Sequence, residues 1–374
     1  MAVTNVLRIF VTGSKGFIGK NLVLRLSELP DFKVVEFNRG DSEASLPSLL
    51  SGADAIIHLA GENRPRNVED FVLVNANLTQ AICDAIKASG KHVPLILASS
   101  TQSEQENPYG QSKRAAEDIV KALTRETGSP VVIYRLPGVF GKWCKPNYNS
   151  VVATFCHNIA NDLPVQINDA AARIRLVYVD DVVDEFIASL SKMQQGVRMG
   201  VVEPEYSITL GELADQIQAF ANCRTTLMSE RVGAGLIRAL YSTYISYLPP
   251  TKFAYDLPQY GDERGVFVEM LKTPDCGQFS FFTVCPGVTR GSHYHHSKTE
   301  KFLVIRGIAR MRFRQMVTGE TYAVMLSGDK PQVVDSIPGW VHDITNVGDS
   351  EAVVMLWANE VFDRQRPDCI PCDV

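Results

Sequence analysis

Apolar positions along the first half of the chain follow two alternating patterns. Short β-branched runs at residues 8–11, 33–37, 55–59, 95–98 and 131–135 are separated by stretches of helical spacing such as 21–29. Strand-length runs interleaved with amphipathic helices mark βαβ units, a parallel sheet covered by helices. Residues 209–223 read as one more amphipathic helix. After the aromatic-rich stretch 241–247 and the pair Pro249-Pro250 the period changes, and closely spaced strands broken by Gly, Pro and Asp take over. The pattern predicts an α/β domain over residues 1–245 and an all-β domain over residues 246–374. Two domains also suit the length, since 374 residues exceed what one core usually fills.

Composition narrows the class of partner. The chain is 45% hydrophobic and 21% charged with a net charge of -5, and no basic run appears. Binding nucleic acid by neutralising phosphates needs such a run, so a small-molecule partner is expected. No window approaches the ~18 apolar residues needed to span a bilayer. The expectation is a cytoplasmic protein without a membrane segment. Its eight cysteines are scattered without the spacing of a disulfide framework, which reads as reduced thiols. Cys369 and Cys372 form a C-x2-C pair, but no second pair accompanies it.

The first strand runs directly into Thr12-Gly13-Ser14-Lys15-Gly16-Phe17-Ile18-Gly19 and then a helix. Glycines at 13, 16 and 19 let the backbone turn tightly, approach a pyrophosphate and pack helix on sheet, with the helix N-terminus attracting the phosphate charge. Residues Gly13 to Gly19 are thus the expected cofactor loop. An NAD-specific site usually carries an acid at the end of the second strand, where this chain has Phe37-Asn38-Arg39. Arg39, with Lys15, suits a 2′-phosphate, so NADPH is the expected cofactor. Further on, Tyr109 and Lys113 stand four residues apart, on one face of a helix. The lysine cation is expected to lower the phenol pKa and to bind the nicotinamide ribose, making Tyr109 a proton donor to a carbonyl oxygen. Ser99-Ser100-Thr101 ends the preceding strand and offers a hydroxyl to the same oxygen.

Together with His58-Leu59-Ala60-Gly61, Arg135-Leu136-Pro137-Gly138-Val139-Phe140-Gly141 and Val177-Tyr178-Val179-Asp180-Asp181-Val182, these motifs resemble the extended short-chain dehydrogenases that act on nucleotide sugars. The resemblance implies a Rossmann-type fold over roughly residues 7–190, with Ser100 as the catalytic hydroxyl beside Tyr109 and Lys113. The dehydratases of that family carry an Asp-Glu pair after the hydroxyl, whereas this chain has Gln102-Ser103, which favours net reduction.

The second domain carries its own constellation. His293, His295 and Glu300 fall in G-x5-H-x-H-x4-E-x6-G between Gly287 and Gly307, and Pro338-Gly339-Trp340-Val341-His342 follows. In a cupin (jelly-roll) barrel these four side chains would point inward, and three imidazoles with one carboxylate make a site for zinc, manganese, iron or nickel. Residues 261–269 and 290–294 are also similar to the 4-keto-6-deoxy-sugar 3,5-epimerases, which use a metal-free histidine base near the position of His293. A ligating histidine cannot accept a proton, so the base is left open among His293, His296, Glu263 and a water on the metal.

A keto-sugar epimerase exploits the acidity of the hydrogen beside the carbonyl, and reduction of that carbonyl fixes the new configuration. The order of the two domains closely resembles the bifunctional enzymes of capsule and O-antigen synthesis (the CapF type). The resemblance extends to residues 141–150 and 241–249. It implies a UDP-2-acetamido-2,6-dideoxy-hexos-4-ulose substrate, C3 epimerisation by the cupin and C4 reduction to the L-talose sugar. A zinc-containing cupin and a homodimer are implied with it.

Overall fold

The computed structural model describes residues 6–64, 67, 71–296, 298–316, 318–365 and 367–374. The chain packs as two compact units. One runs to Ile217 and takes in Ala239–Leu248, and the other comprises Gln218–Arg238 and Pro249–Val374. Composition places a single boundary near residue 246. Packing adds Gln218–Arg238 to the second unit, where the backbone of Leu227 and Ser229 bonds to Lys272 at 2.8 Å each way.

In the first unit the strands are β1 (Leu7–Thr12), β2 (Phe32–Phe37), β3 (Ala55–His58), β4 (Leu95–Ser100), β5 (Val131–Leu136), β6 (Gly138–Phe140), β7 (Arg173–Tyr178), β8 (Val197–Gly200) and β9 (Tyr206–Thr209). Six of them form a parallel sheet in the order β2-β1-β3-β4-β5-β8, and β6-β7-β9 make a small second sheet. Each of the five runs read as strands is a strand. Their near-continuous apolar character follows from burial on both faces. Phe10, Ile56, Leu97 and Ile133 enter one core. Their sequence neighbours Ile9, Ile57, Ile96 and Val132 enter the other. Helices Phe17–Ser27, Leu78–Ser89, Pro108–Thr127 and Val179–Leu190 cover the sheet. Chain direction diverges on the two sides of β1, and in such sheets ligands bind at the carboxyl ends flanking that switch point. Gly13 and Ala60 lie there, after β1 and β3.

The second unit is all-β apart from helical segments in Gln218–Arg238 and a short turn. Its strands are β10 (Gln259–Asp262), β11 (Gly265–Thr273), β12 (Gly277–Val284), β13 (Thr289–Tyr294), β14 (Glu300–Arg306), β15 (Ile308–Gln315), β16 (Thr321–Ser327), β17 (Val333–Asp335), β18 (Trp340–Asn346), β19 (Ala352–Ala358) and β20 (Ile370–Pro371). They form two sheets, β10-β11-β12-β19-β14-β17 and β16-β15-β18-β13-β20. Phe282, Phe302, Val304, Met311, Phe313, Ile344 and Val354 from both sheets share one core, the jelly-roll layering. Among the described residues no helix is long and apolar enough to cross a membrane.

Candidate functional site

The glycine loop is shaped by close approach. Gly13 has φ +67°, and a Cβ on it would lie 2.8 Å from the Ala60 nitrogen, while a Cβ on Gly19 would lie 2.2 Å from the Gly13 oxygen. No side chain caps the helix that opens at Phe17, so the amides of Phe17, Ile18 and Gly19 stand at an uncapped N-terminus. A pyrophosphate fits this cradle, because only backbone borders it and the helix end favours an anion. Behind the loop, Thr12 Oγ1 lies 2.6 Å from His58 Nδ1 and accepts from the amides of Leu59 and Ala60 at 3.1 Å. His58 Nε2 lies 2.9 Å from Thr79 Oγ1, which donates to the Asn75 carbonyl. The Thr79 proton is thus committed, so Nε2–H donates to Thr79 and Nδ1 accepts from Thr12. Burial, reinforced by the Lys113 charge, holds His58 down at about 3, and the imidazole stays neutral.

Lys15 and Arg39, the two cations expected to select the cofactor, are differently engaged. The Lys15 amide donates to Asn38 Oδ1 at 3.0 Å. Arg39 pairs with Glu62 at 2.6 Å, and Glu62 also accepts from the Tyr148 hydroxyl at 3.1 Å. Burial raises the Glu62 pKa, but the hydrogen bonds from Arg39, the Arg64 amide and Tyr148 outweigh it and hold the carboxylate ionised. Arg39 is therefore an anchored cation, with Glu62 as its competitor for any phosphate.

The helix that begins at Pro108 is started by Asn107, whose side chain accepts from the Gly110 amide, and Tyr109 and Lys113 lie on one of its faces. Ser100 is the last residue of β4, and its hydroxyl lies close enough to Tyr109 to favour ionisation of the phenol. Ser99 points to the opposite face and donates to Glu117 at 2.7 Å, so the structure brings Ser100 and not Ser99 to the phenol. Lys113 Nζ lies 6.0 Å from the Tyr109 ring centroid and donates to the Ala98 carbonyl at 3.1 Å. Burial lowers Lys113 to about 8, against the opposing pull of Glu117. One expectation is corrected here. Burial raises the Tyr109 pKa, partly offset by Ser100, rather than the lysine lowering it. The phenol keeps its proton at neutral pH, which suits a donor.

Glu117 was not singled out from sequence, although it stands four residues beyond Lys113 on the same face. Its side chain is fully buried and takes two hydrogen bonds from Arg135 at 2.9 and 2.7 Å. Burial raises its pKa, but Arg135 and Ser99 outweigh that and keep it ionised. Asn75 also went unnoticed. It accepts from the Glu62 amide and donates to Ser112 beside Tyr109.

In the second unit the four expected ligands converge. One ligand atom each from His293, His295, Glu300 and His342 all lie within 4.8 Å of one another. A register shift between Gly291 and His293 pairs His293 with His342 across β13 and β18, and Ser292 at the bulge has φ +59°. His295 Nδ1 faces the Asp368 carbonyl, which can only accept, so the proton sits on Nδ1 and Nε2 is directed at Glu300 Oε2, 3.1 Å away. His293 Nε2 and both ring nitrogens of His342 are buried without a hydrogen-bond partner among the described residues. Orphaned buried nitrogens cost ~1–3 kcal/mol each, and a bound cation would relieve them. The donor set fits a first-row divalent ion. Burial raises the Glu300 pKa, but the neighbouring His295 and His342 rings and the charge of Lys298, 2.8 Å away, outweigh it and keep the carboxylate ionised.

His293, Glu300 and His342 line a cavity of about 1130 Å³, whose wall also includes Arg264, Lys272, Arg290, Glu269 and Asp262. His296 and Glu263, two of the bases left open by sequence, are exposed, and neither lines the cavity. Asp262 is held down at about 2 by hydrogen bonds from Arg264. Glu269, bonded to Lys272 at 2.7 Å, is a wall carboxylate outside the ligand set that sequence reasoning missed.

A glycine-loop α/β unit with a Ser, Tyr and Lys set belongs to the nucleotide-dependent dehydrogenases and epimerases, and residues 9–203 match the NAD dependent epimerase/dehydratase family. The chain belongs to that family, and residues 260–370 match the polysaccharide biosynthesis C-terminal domain. It is 54% identical, over 98% of its length and 99% of the relative's, to the UDP-2-acetamido-2,6-beta-L-arabino-hexul-4-ose reductase of Pseudomonas aeruginosa. Among solved structures, the capsular polysaccharide assembling protein CapF from Staphylococcus aureus superposes with a TM-score of 0.90 at 42% identity, over 98% of this chain and all of that one. The dTDP-4-dehydro-6-deoxyglucose reductase of Escherichia coli is 23% identical over 59% of the chain and 83% of the relative.

Proposed function

We propose that this chain is a bifunctional sugar-nucleotide enzyme. Its second unit epimerises C3 of a UDP-2-acetamido-2,6-dideoxy-4-hexulose, and its first unit reduces the C4 ketone to give UDP-2-acetamido-2,6-dideoxy-L-talose. This product leads to UDP-N-acetyl-L-fucosamine for capsule or O-antigen. The observation that carries the reading is the 54% identity to the Pseudomonas reductase over essentially both whole chains. A homodimer acting in the cytoplasm is part of the same reading.

In the first unit, Ser100 orients the C4 carbonyl and Tyr109 delivers a proton to its oxygen. Lys113 holds the ribose of the cofactor, and Lys15 and Arg39 select its 2′-phosphate. NADPH, when bound, supplies the hydride. In the second unit, Arg264 and Arg290 offer cations to the diphosphate. Glu269 removes the C3 proton, solvent water returns a proton to the opposite face of the resulting enediolate, and C3 is inverted. A divalent cation, zinc in this reading, supplies a Lewis acid when held by His293, His295, Glu300 and His342.

The printed name of the Pseudomonas relative specifies reduction alone. That observation favours a second reading, an NADPH-dependent 4-keto reductase whose cupin only binds sugar or joins subunits. Proton NMR of the UDP-4-keto sugar in deuterated water separates the two. Loss of the C3 signal before NADPH is added, abolished by Glu269→Gln with metal content unchanged, is the expected result. Reduction without prior exchange establishes the second reading.

A further inference from the structure

The four-ligand cluster is held from outside by a segment remote in sequence. Residues Ile370 and Pro371 of β20 pair with Tyr294 and His293, extending the sheet at the ligand strand. The Cys372 amide donates to the Ser292 carbonyl at 3.0 Å, at the bulge that sets the direction of His293. Asp368 works in two ways at once. Its backbone carbonyl takes the Nδ1 proton of His295. Its carboxylate accepts from the amides of His296 and Lys298, each at 2.8 Å, fixing the turn between His295 and Glu300. Arg314 on β15 anchors the far end by donating to the Asp373 carbonyl and, at 3.4 Å, to the Cys372 sulfur.

We propose that residues 368–373 form a positioning strap for the metal centre, with Asp368 as the residue that fixes both the tautomer of His295 and the path of the 295–300 turn. The proposal rests on the reading of His293, His295, Glu300 and His342 as a metal site. Its physical basis is that a hydrogen bond to the non-ligating nitrogen of an imidazole fixes ring orientation and raises ligand basicity, and such outer partners change metal affinity by about 10–100-fold. Two segments that carry candidate ligands, Ser292-His293 and His295-His296, and Lys298, two residues before Glu300, are each hydrogen-bonded to the strap. Loosening it therefore disorders ligand directions without removing any ligand atom. None of these residues belongs to the first unit, so cofactor binding there is a separate control.

The test uses the full chain, stripped and reloaded with zinc or with cobalt(II). Asp368→Ala keeps the backbone carbonyl that faces His295 but removes both carboxylate bonds to the amides of His296 and Lys298, and it is expected to bind zinc about 10–100-fold more weakly in chelator competition and to change the visible cobalt spectrum, with NADPH binding unaltered. Arg314→Ala, which frees only the far anchor, should move both readouts in the same direction by less. Wild-type zinc affinity and an unchanged cobalt spectrum in Asp368→Ala would overturn the strap. If Asp368→Ala does not fold, Asp368→Asn, which keeps an acceptor for one of the two amides, carries the comparison, and wild-type affinity there and in Arg314→Ala overturns it equally. A wild-type chain that binds neither ion overturns the metal reading itself, an outcome distinct from failure of the strap.

Discussion

The two sites solve opposite problems. Around the glycine loop the supporting side chains pair with one another: His58 with Thr12 and Thr79, Asn75 with Ser112, and Glu117 with Ser99 and Arg135. In the second unit, buried His293 and His342 nitrogens lack partners while Glu300 gathers His295, His342 and Lys298 around one carboxylate. A site for an organic cofactor held by backbone amides is made rigid by satisfying its supports. A site for a cation concentrates lone pairs that only the cation reconciles. Clustered buried nitrogens without partners thus mark one kind of site, and a paired network of supporting side chains behind a backbone cradle marks the other.

The sharpest way to separate the two halves is Tyr109→Phe. It should cut NADPH oxidation by about 10³-fold, the scale of a lost general acid, while C3 exchange in deuterated water continues. Loss of exchange as well would show that the sites are not independent. Next in size is Arg135→Ala, which leaves Glu117 ionised and fully buried. A fall of ~3–5 kcal/mol in folding stability by denaturant unfolding is expected, and Arg135→Lys should recover only part of it. A change within ~0.5 kcal/mol would mean that the paired network is not what stiffens the first site.

Lys113 gives a pH test of the same network. Below pH about 8 it is charged both folded and unfolded, and its burial penalty is fully felt. As pH rises through about 8 the folded state sheds the proton first, so folding stability gains while the ammonium available to ribose is lost. NADPH affinity should accordingly fall by up to about tenfold per pH unit above 8, and Lys113→Met should flatten the profile. The smallest expected effect belongs to Glu62→Gln. Freeing Arg39 from an exposed pair is worth ~1 kcal/mol at most, so NADPH should gain about fivefold over NADH in kcat/KM. No change in that ratio would remove Arg39 from cofactor selection.

Much of both units was legible in the chain. Apolar runs of strand length gave five of the six parallel strands, because strands buried on two faces leave no polar alternation to confuse them, whereas the exposed edge strand β8 carries no such run. Spacing alone placed Tyr109 and Lys113 on one helical face and His293 and His295 on one strand face, since both periods are fixed by local geometry. What sequence missed were supports drawn from far away. Glu117 meets Ser99 and Arg135, and Asp368 meets His295 over 73 residues. Local periodicity carries no record of such pairs.

Residue type at short, fixed spacing was enough for the fold classes, the cradle at Gly13, the Tyr109 and Lys113 pair, and the set of His293, His295, Glu300 and His342 that converges in the second unit. Only the tertiary structure decided that Ser100 rather than Ser99 faces the phenol, that burial keeps Tyr109 protonated, and that Arg39 is tied to Glu62. It also decided that the bulge at Ser292 brings His293 opposite His342. These are matters of burial, charge proximity and strand register, which arise only when distant segments exclude water from one another.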